Sequence, residues 1–182
     1  MLPAGFIAKK VETRPQWLNA QGVADLYSVS GCLSEYFCDY VRYWKHNGFW
    51  LFDNPAAITE IAAAESIDLS GHRLFYYEVY EQEFDADDRC WRSFEPEKSF
   101  TTHVEPPGAK RLEGYDVVTF SAETSPECSP LSCNSLAQKI PVNAHCLLPS
   151  LEDAIRLLEA GAFDNAEPGP YRIFAVYSCD AA

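Results

Sequence analysis

The sequence predicts an α/β or α+β fold, built as two similar halves around one core. Three observations lead there. Short runs of β-branched and aromatic residues recur along the chain. Capped helical patterns stand between them. The order strand, connector, strand, helix, strand occurs twice. The whole of 1–182 reads as a single globular domain, with a first half over 23–84, a connector over 85–113 and a second half over 114–179. With 47% hydrophobic residues the chain has ample material for a packed interior, which excludes general disorder.

Residues 1–22 read as an extended lead-in anchored by Trp17 and Leu18. Val23–Ser30 is β-branched and aromatic and closes on Gly31, which predicts a strand. Leu33, Phe37, Tyr40, Val41 and Trp44 then recur at helical spacing behind Ser34, a residue that can cap a helix, and Asn47-Gly48 ends the pattern. Phe49–Phe52 reads as a buried strand. Asn54-Pro55 opens a second helix whose Ile58, Ile61 and Ala62 face inward. Arg73–Phe84 begins apolar on both faces, which predicts a central strand covered on each side.

The stretch from Asp85 to Arg111 is charged, holds Pro96, Pro106, Pro107 and Gly108, and shows no sustained period, so it reads as a connector. Gly114–Ser121 is a strand and Ser125–Cys133 a loop. Ser132 or Asn134 caps a short helix running through Lys139, and Val142–Leu148 is a strand. Ser150 with Asp153 forms a capping-box variant before Leu151, Ala154, Ile155 and Leu158. Tyr171–Cys179 is the last strand. Tyr80 and Tyr177 stand at the same separation as Val79 and Val176, and the repeated order predicts an internal duplication with pseudo-two-fold symmetry. A strand–helix–strand crossover in each half predicts parallel strands.

The strings Ser129-Pro-Leu-Ser-Cys-Asn134, Val142-Asn-Ala-His-Cys146 and Glu167-Pro-Gly-Pro-Tyr-Arg-Ile-Phe-Ala-Val-Tyr177 resemble a family of uncharacterised bacterial proteins. The likeness covers most of the chain. It implies no activity, cofactor or site residues.

Charge narrows the function classes. With 27 acidic against 14 basic residues the net charge is −13, a field that repels nucleic acid and anionic membranes and favours a basic protein partner. The N-terminal ten residues lack the arrangement of a secretory signal, since their charges follow a short apolar part broken by Pro3 and Gly5. The expectation is a cytoplasmic protein whose seven cysteines are mostly reduced thiols.

The chemistry-bearing stretch runs from Ser125 to Cys146. Cys133 in the first turn of a helix would be a stabilised thiolate. His145 would serve as its base, with Asn134 or Asn143 orienting the imidazole or donating to an oxyanion. Against a metal site stands the adjacency of His145 and Cys146, which on a strand point to opposite faces, so the expectation is no metal ligand set. No phosphate-binding loop, dinucleotide fingerprint or nucleophile elbow occurs, so no cofactor is expected. Candidate binding residues are the surplus aromatics Tyr36, Tyr40, Tyr43 and Trp44, with His46 at the helix end. The acidic strand end Glu81, Glu83 and Asp85 suits a basic partner, and Arg172 suits an anion. The leading expectation is an acidic inhibitor-, immunity- or regulator-like protein. A Cys133–His145 hydrolase or transferase is the alternative, and small-ligand binding at the seam of the halves a second one.

Overall fold

A computed structural model of the chain describes residues 1–33, 46–96, 101–119 and 128–179. The protein is a mixed α/β structure in which helices pack on a largely antiparallel sheet. In chain order its elements are β1 (Leu2–Lys10), β2 (Glu12–Thr13), β3 (Asp25–Leu26), α1 (Pro55–Glu65), β4 (His72–Asp85), β5 (Cys90–Ser93), β6 (Arg111–Thr119), α2 (Leu151–Glu159) and β7 (Tyr171–Ser178). The main sheet runs β1-β4-β7-β6, with β5 paired to the far end of β4. Every pairing in it is antiparallel. The expected parallel crossovers are therefore absent among the described residues.

Two further expectations are corrected. The lead-in holds β1, whose Ala4, Phe6, Ile7 and Ala8 are buried beside β4. The segment Val23–Ser30 contributes only the two-residue β3, paired with β2. Its Leu26, Tyr27 and Val29 are buried as a strand's would be, but its backbone partners lie elsewhere. Ala24 N–H donates to Ala144 O at 2.8 Å and Tyr27 N–H to His145 O at 3.1 Å. Burial made the segment look like a strand; sheet pairing did not follow.

β4 is central, as its two-sided apolarity predicts, with β1 on one side and β7 on the other. On β7, Phe174 and Val176 join one buried cluster and Tyr171 and Ile173 the other; on β6, Val118 and Val117 divide in the same way. Alternate residues of a strand face opposite ways, so both faces of the sheet are covered. The connector contains β5, turned back on β4 through Asp85, whose Oδ1 accepts from Asp87 N and Asp88 N at 3.0 and 2.9 Å. Trp91 then packs on Tyr80 and Phe84, with ring centroids 5.6 and 5.1 Å apart.

Both helices start where their caps predict. Asn54 Oδ1 accepts from Ala57 N at 2.9 Å behind Pro55, and Ser150 Oγ accepts from Asp153 N at 3.1 Å. Each cap satisfies one of the backbone donors left over at a helix N-terminus. The left-handed residue after α1 is Ser66, at φ 58°. α1 packs on β1, and α2 on β6 and β7.

The runs read as strands at Phe49–Phe52 and Val142–Leu148 are instead asparagine-centred turns. Asn47 N–H donates to Leu51 O at 2.7 Å, and Asn47 Oδ1 accepts from Phe49 N and Leu51 N at 2.9 and 3.2 Å. Its Nδ2 donates to Ala4 O at 2.9 Å. Asn143 makes the same set: its N–H donates to Leu147 O at 2.9 Å, its Oδ1 accepts from His145 N and Leu147 N at 2.9 and 3.1 Å, and its Nδ2 donates to Glu113 O at 2.6 Å. Each turn ends in a single antiparallel bridge, Phe6 to Phe52 and Tyr115 to Leu148. Each presses on a glycine at a β-bulge, Gly5 and Gly114. A Cβ on Gly114, at φ +146°, would stand 2.8 Å from both Leu147 Cβ and Leu148 O.

Asn47→Ala removes three backbone hydrogen bonds from a buried turn. The expected loss is about 3 kcal/mol of unfolding free energy, read as a lower urea midpoint with an unchanged slope. Gly114→Ala destabilises as well, through the clash and the positive φ.

Candidate functional site

Two segments distant in sequence meet beside the sheet, 25–33 and 128–134. What joins them is a buried polar network. Asp116, on β6, is 1% exposed and its Oδ2 accepts from Val29 N at 2.8 Å and from Ser129 Oγ at 2.6 Å. Ser30 N–H donates to Ser129 Oγ at 3.2 Å, and the hydroxyls of Ser28 and Ser132 lie 2.7 Å apart. From β1, the fully buried Lys9 donates to the carbonyls of Ser28 and Ser30. Ser129 O receives Ser132 N and Cys133 N at 3.0 and 2.9 Å, so the Ser-Pro-Leu-Ser-Cys string is wound into a tight turn.

The result is a cluster of three thiols. The Sγ atoms of Cys32, Cys128 and Cys133 all lie within 4.8 Å of one another. Cys32 is exposed, Cys133 half-buried and Cys128 buried. Cys133 Sγ is 3.9 Å from both Ser30 Oγ and Ser132 Oγ. Cys128 Sγ lies 3.2 Å from Asn134 Oδ1, and Asn134 Nδ2 reaches Glu167 Oε1 at 3.3 Å.

The three sulfurs do not titrate alike. Hydrogen bonds from Cys128 and Cys32, with help from the Ser129 backbone and Ser30, hold the Cys133 thiol far below its ordinary value and outweigh burial. Cys128 is pushed up, because it hydrogen-bonds to Cys133 and Cys32 and is partly desolvated. For Cys32 the contact with Cys128 pulls down, but the contact with Cys133 and burial together raise it. Cys133 is therefore the sulfur of the three that gives up its proton most readily. A thiolate is both nucleophile and soft-metal ligand.

The expected cause of that thiolate differs from the observed one. The short helix is a 3-10 turn over Leu136–Gln138 with Ser135, not Ser132 or Asn134, at its start. Cys133 precedes it, so neighbouring thiols rather than a helix terminus stabilise the charge.

The structure does not assemble Cys133, His145 and Asn143 into one site. Both ring nitrogens of His145 face carboxylates, Nδ1 at 2.5 Å from Asp25 Oδ1 and Nε2 at 3.6 Å from Glu113 Oε2. The ring stacks on Tyr27, centroids 4.0 Å apart. Asn143 is consumed by its turn. An imidazole held in this way has no nitrogen to offer Cys133. His46, expected to reach a ligand, is buried, with Nδ1 2.9 Å from Asn47 O and its ring stacked 3.9 Å from Trp50. Tyr36, Tyr40, Tyr43 and Trp44 lie outside the described residues.

Arg172 is buried in an ion pair with Glu83, Nε to Oε2 2.9 Å, and its guanidinium lies 3.7 Å over the Phe94 ring. It is therefore occupied within the fold rather than presented to an anion. Asp85 spends one oxygen on its turn and the other on Arg92 at 2.9 Å. Among the described residues no such bond engages the side chain of Glu81, the exposed member of the acidic trio.

Sequence reasoning missed Cys32, Lys9 and Asp116. Cys32 follows Ser30-Gly31 in a turn and has no metal-like spacing to Cys128 or Cys133. Only the meeting of the two segments reveals it. No known protein family, curated protein or solved structure matches the chain. Among the described residues no helix is long and apolar enough to cross a membrane.

Burial raises Asp116 from an ordinary 3.8 to about 7, against the pull of Ser129, Val29 and Lys9. Its Oδ1 makes no hydrogen bond. The folded protein thus holds this proton where the unfolded chain has released it. Stability falls as pH rises from about 4 to about 7, by on the order of 4 kcal/mol from this group. Asp116→Asn keeps an acceptor for Val29 and Ser129, so its urea stability should be flatter across that window. An equal slope in both proteins would refute the assignment.

Proposed function

We propose that the chain is a thiophilic metal-binding protein whose ligands are Cys32, Cys128 and Cys133. The observation that carries the reading is the mutual approach of the three sulfurs within 4.8 Å. Their chemistry supports it. Three sulfur donors with no carboxylate or imidazole among them favour soft or borderline ions, Zn²⁺ or Cu⁺, over Mg²⁺ or Ca²⁺. Cys133 is lowered toward its thiolate, and a cation would deprotonate the other two sulfurs. A tetrahedral ion held by three protein ligands keeps a fourth position for water or substrate. The exposed side of Cys32 is where such a position would open.

Two other readings rank behind. Docking of a basic partner draws on the net charge of −13, but Glu83 and Asp85 at the acidic strand end are already neutralised within the fold. A nucleophilic Cys133 retains its thiolate and loses its expected base. A cytoplasmic, reducing location suits free thiols and belongs with these proposals. The resemblance to uncharacterised bacterial proteins supplies no activity.

The duplication belongs here too. The paired asparagine turns, each docked on a bulge glycine and each followed by a capped helix, support two copies of one unit. The bulge registers, Gly5 on Tyr77 and Gly114 on Val176, align Arg73-Leu74-Phe75 with Arg172-Ile173-Phe174. That alignment is shifted from the Tyr80–Tyr177 match. On this reading the thiol site lies where the connector of one unit meets the connector of the other.

Titration of the reduced protein with Cd²⁺ or Zn²⁺ should give one tight site per chain. Cd²⁺ should show sulfur-to-metal charge-transfer absorption, and X-ray absorption should show Zn–S distances of about 2.3 Å. Affinity should fall as pH drops, because protons compete for the sulfurs. Cys32→Ser, Cys128→Ser and Cys133→Ser should each weaken binding at least ~10-fold, while Cys90→Ser and Cys179→Ser leave it unchanged. Absence of sulfur ligation, or equal binding by all five variants, would sink the reading.

A further inference from the structure

At the end of the sheet that holds the start of β4 and the end of β7 lies a cavity of about 530 Å³. Its lining includes Arg73 on β4, Lys110 before β6, Arg111 at the start of β6 and Ser178 on β7. Three cationic residues line it, in a protein that carries only 14 basic residues against 27 acidic ones. Such a concentration is not what the composition alone would place around one cavity.

The three cations are held differently. Lys110 Nζ lies 4.6 and 4.3 Å over the rings of Tyr76 and Tyr177 and 2.5 Å from Glu78 Oε1. Arg111 reaches Glu113 Oε1 at 2.7 Å. Arg73 donates to the Tyr27 hydroxyl and sits 5.8 Å over that ring. No carboxylate pairs with Arg73 among the described residues. Tyr27 is itself fixed, stacked against His145. Among the described residues Arg73 is thus an exposed guanidinium held by an aromatic hydroxyl, with no carboxylate in an ion pair with it.

The geometry points to a site for a phosphate ester in this cavity, with Arg73 as the principal contact. A guanidinium fork matches phosphate oxygens, and its charge-assisted hydrogen bonds are stronger than neutral ones. The net charge of the chain does not forbid this. At physiological ionic strength a distant charge is screened beyond about 8 Å, so the nearest cations dominate. The cavity exceeds what inorganic phosphate fills, and lies within the roughly 300–1,000 Å³ range of small-molecule sites. The polar, cationic lining suits a phosphorylated polar body better than an apolar one. The arginine is mounted at the start of a sheet strand, which keeps its approach fixed. The thiol cluster plays no part in it.

Calorimetric titration of the reduced 182-residue chain with glycerol phosphate and with inorganic phosphate tests the site. The expected result is saturable ester binding that weakens as salt rises, with inorganic phosphate binding less tightly. Arg73→Gln should weaken ester binding at least ~10-fold. Ala109→Glu, which adds an anion to the lining without touching a paired group, should abolish it. Both positions are exposed, and circular dichroism and Cd²⁺ binding report whether each variant is folded. Absence of ester binding to the unaltered protein would overturn the proposal, as would full binding by folded Arg73→Gln and Ala109→Glu. Inorganic phosphate bound as tightly as the ester would overturn the assignment to an ester.

Discussion

One carboxylate oxygen holds the candidate thiol site together. Asp116 Oδ2 receives the backbone of one segment, through Val29, and the side chain of the other, through Ser129. Neither segment is a strand of the main sheet; the first is fixed only through the two-residue β3 and the second through a single bridge from Cys128 to Thr119. Their register against each other depends on this acceptor, on the serine hydroxyls around it and on the ammonium of Lys9. A buried ionisable group costs several kcal/mol unless hydrogen bonds or a partner charge offset the desolvation. The network offsets it in part, and the upward displacement of Asp116 records what remains. The cost is retained beside the three thiols, which is where a precise juxtaposition of two chain segments matters most.

The frame beneath this network is a pair of asparagine turns on a sheet. Each turn side chain substitutes for a strand: it accepts two backbone N–H groups and donates to an edge strand's carbonyl. In this way a few residues close the open side of β1 and of β6 without a further strand. The bulge glycines are what allow the approach, since a Cβ at either would meet turn atoms at 2.7–2.8 Å. An edge covered by a turn is also one that a second chain cannot pair with at that point.

Much of the frame was legible in the sequence because it rests on local rules. Asn54-Pro55 and Ser150 announce helix starts through backbone donors that need capping. The two-sided apolarity of Phe75, Tyr76 and Tyr77 announces a central strand. What failed shares a physical cause. Burial is legible and pairing is not, so Val23–Ser30, Phe49–Phe52 and Val142–Leu148 looked like strands when their backbone bonds go to turns and side chains. β1 was hidden in the opposite way, because Pro3 and Gly5 read as breaks when Gly5 is the position that a bulge requires. At the site, Cys133 and Asn134 could be picked out from their neighbours in sequence. Cys32 could not, because its relation to Cys133 spans the sheet and leaves no spacing to read.

The three thiols also explain why a site of this kind suits a protein of strongly negative charge. On the proposed metal-binding reading, a cluster of one thiolate and two thiols would carry a single negative charge. Coordination of a divalent ion by three thiolates leaves the same total, because two protons depart as two positive charges arrive. The local field, including the one that Cys133 exerts on Asp116, would then change little between the two states. Ion binding of this kind makes small demands on the buried network, and Lys9 and Asp116 can keep one arrangement throughout. On the proposed reading the arrangement would be preorganised for affinity: the segments are ordered by Asp116 and the serines, and the sulfurs would need only to exchange protons for an ion.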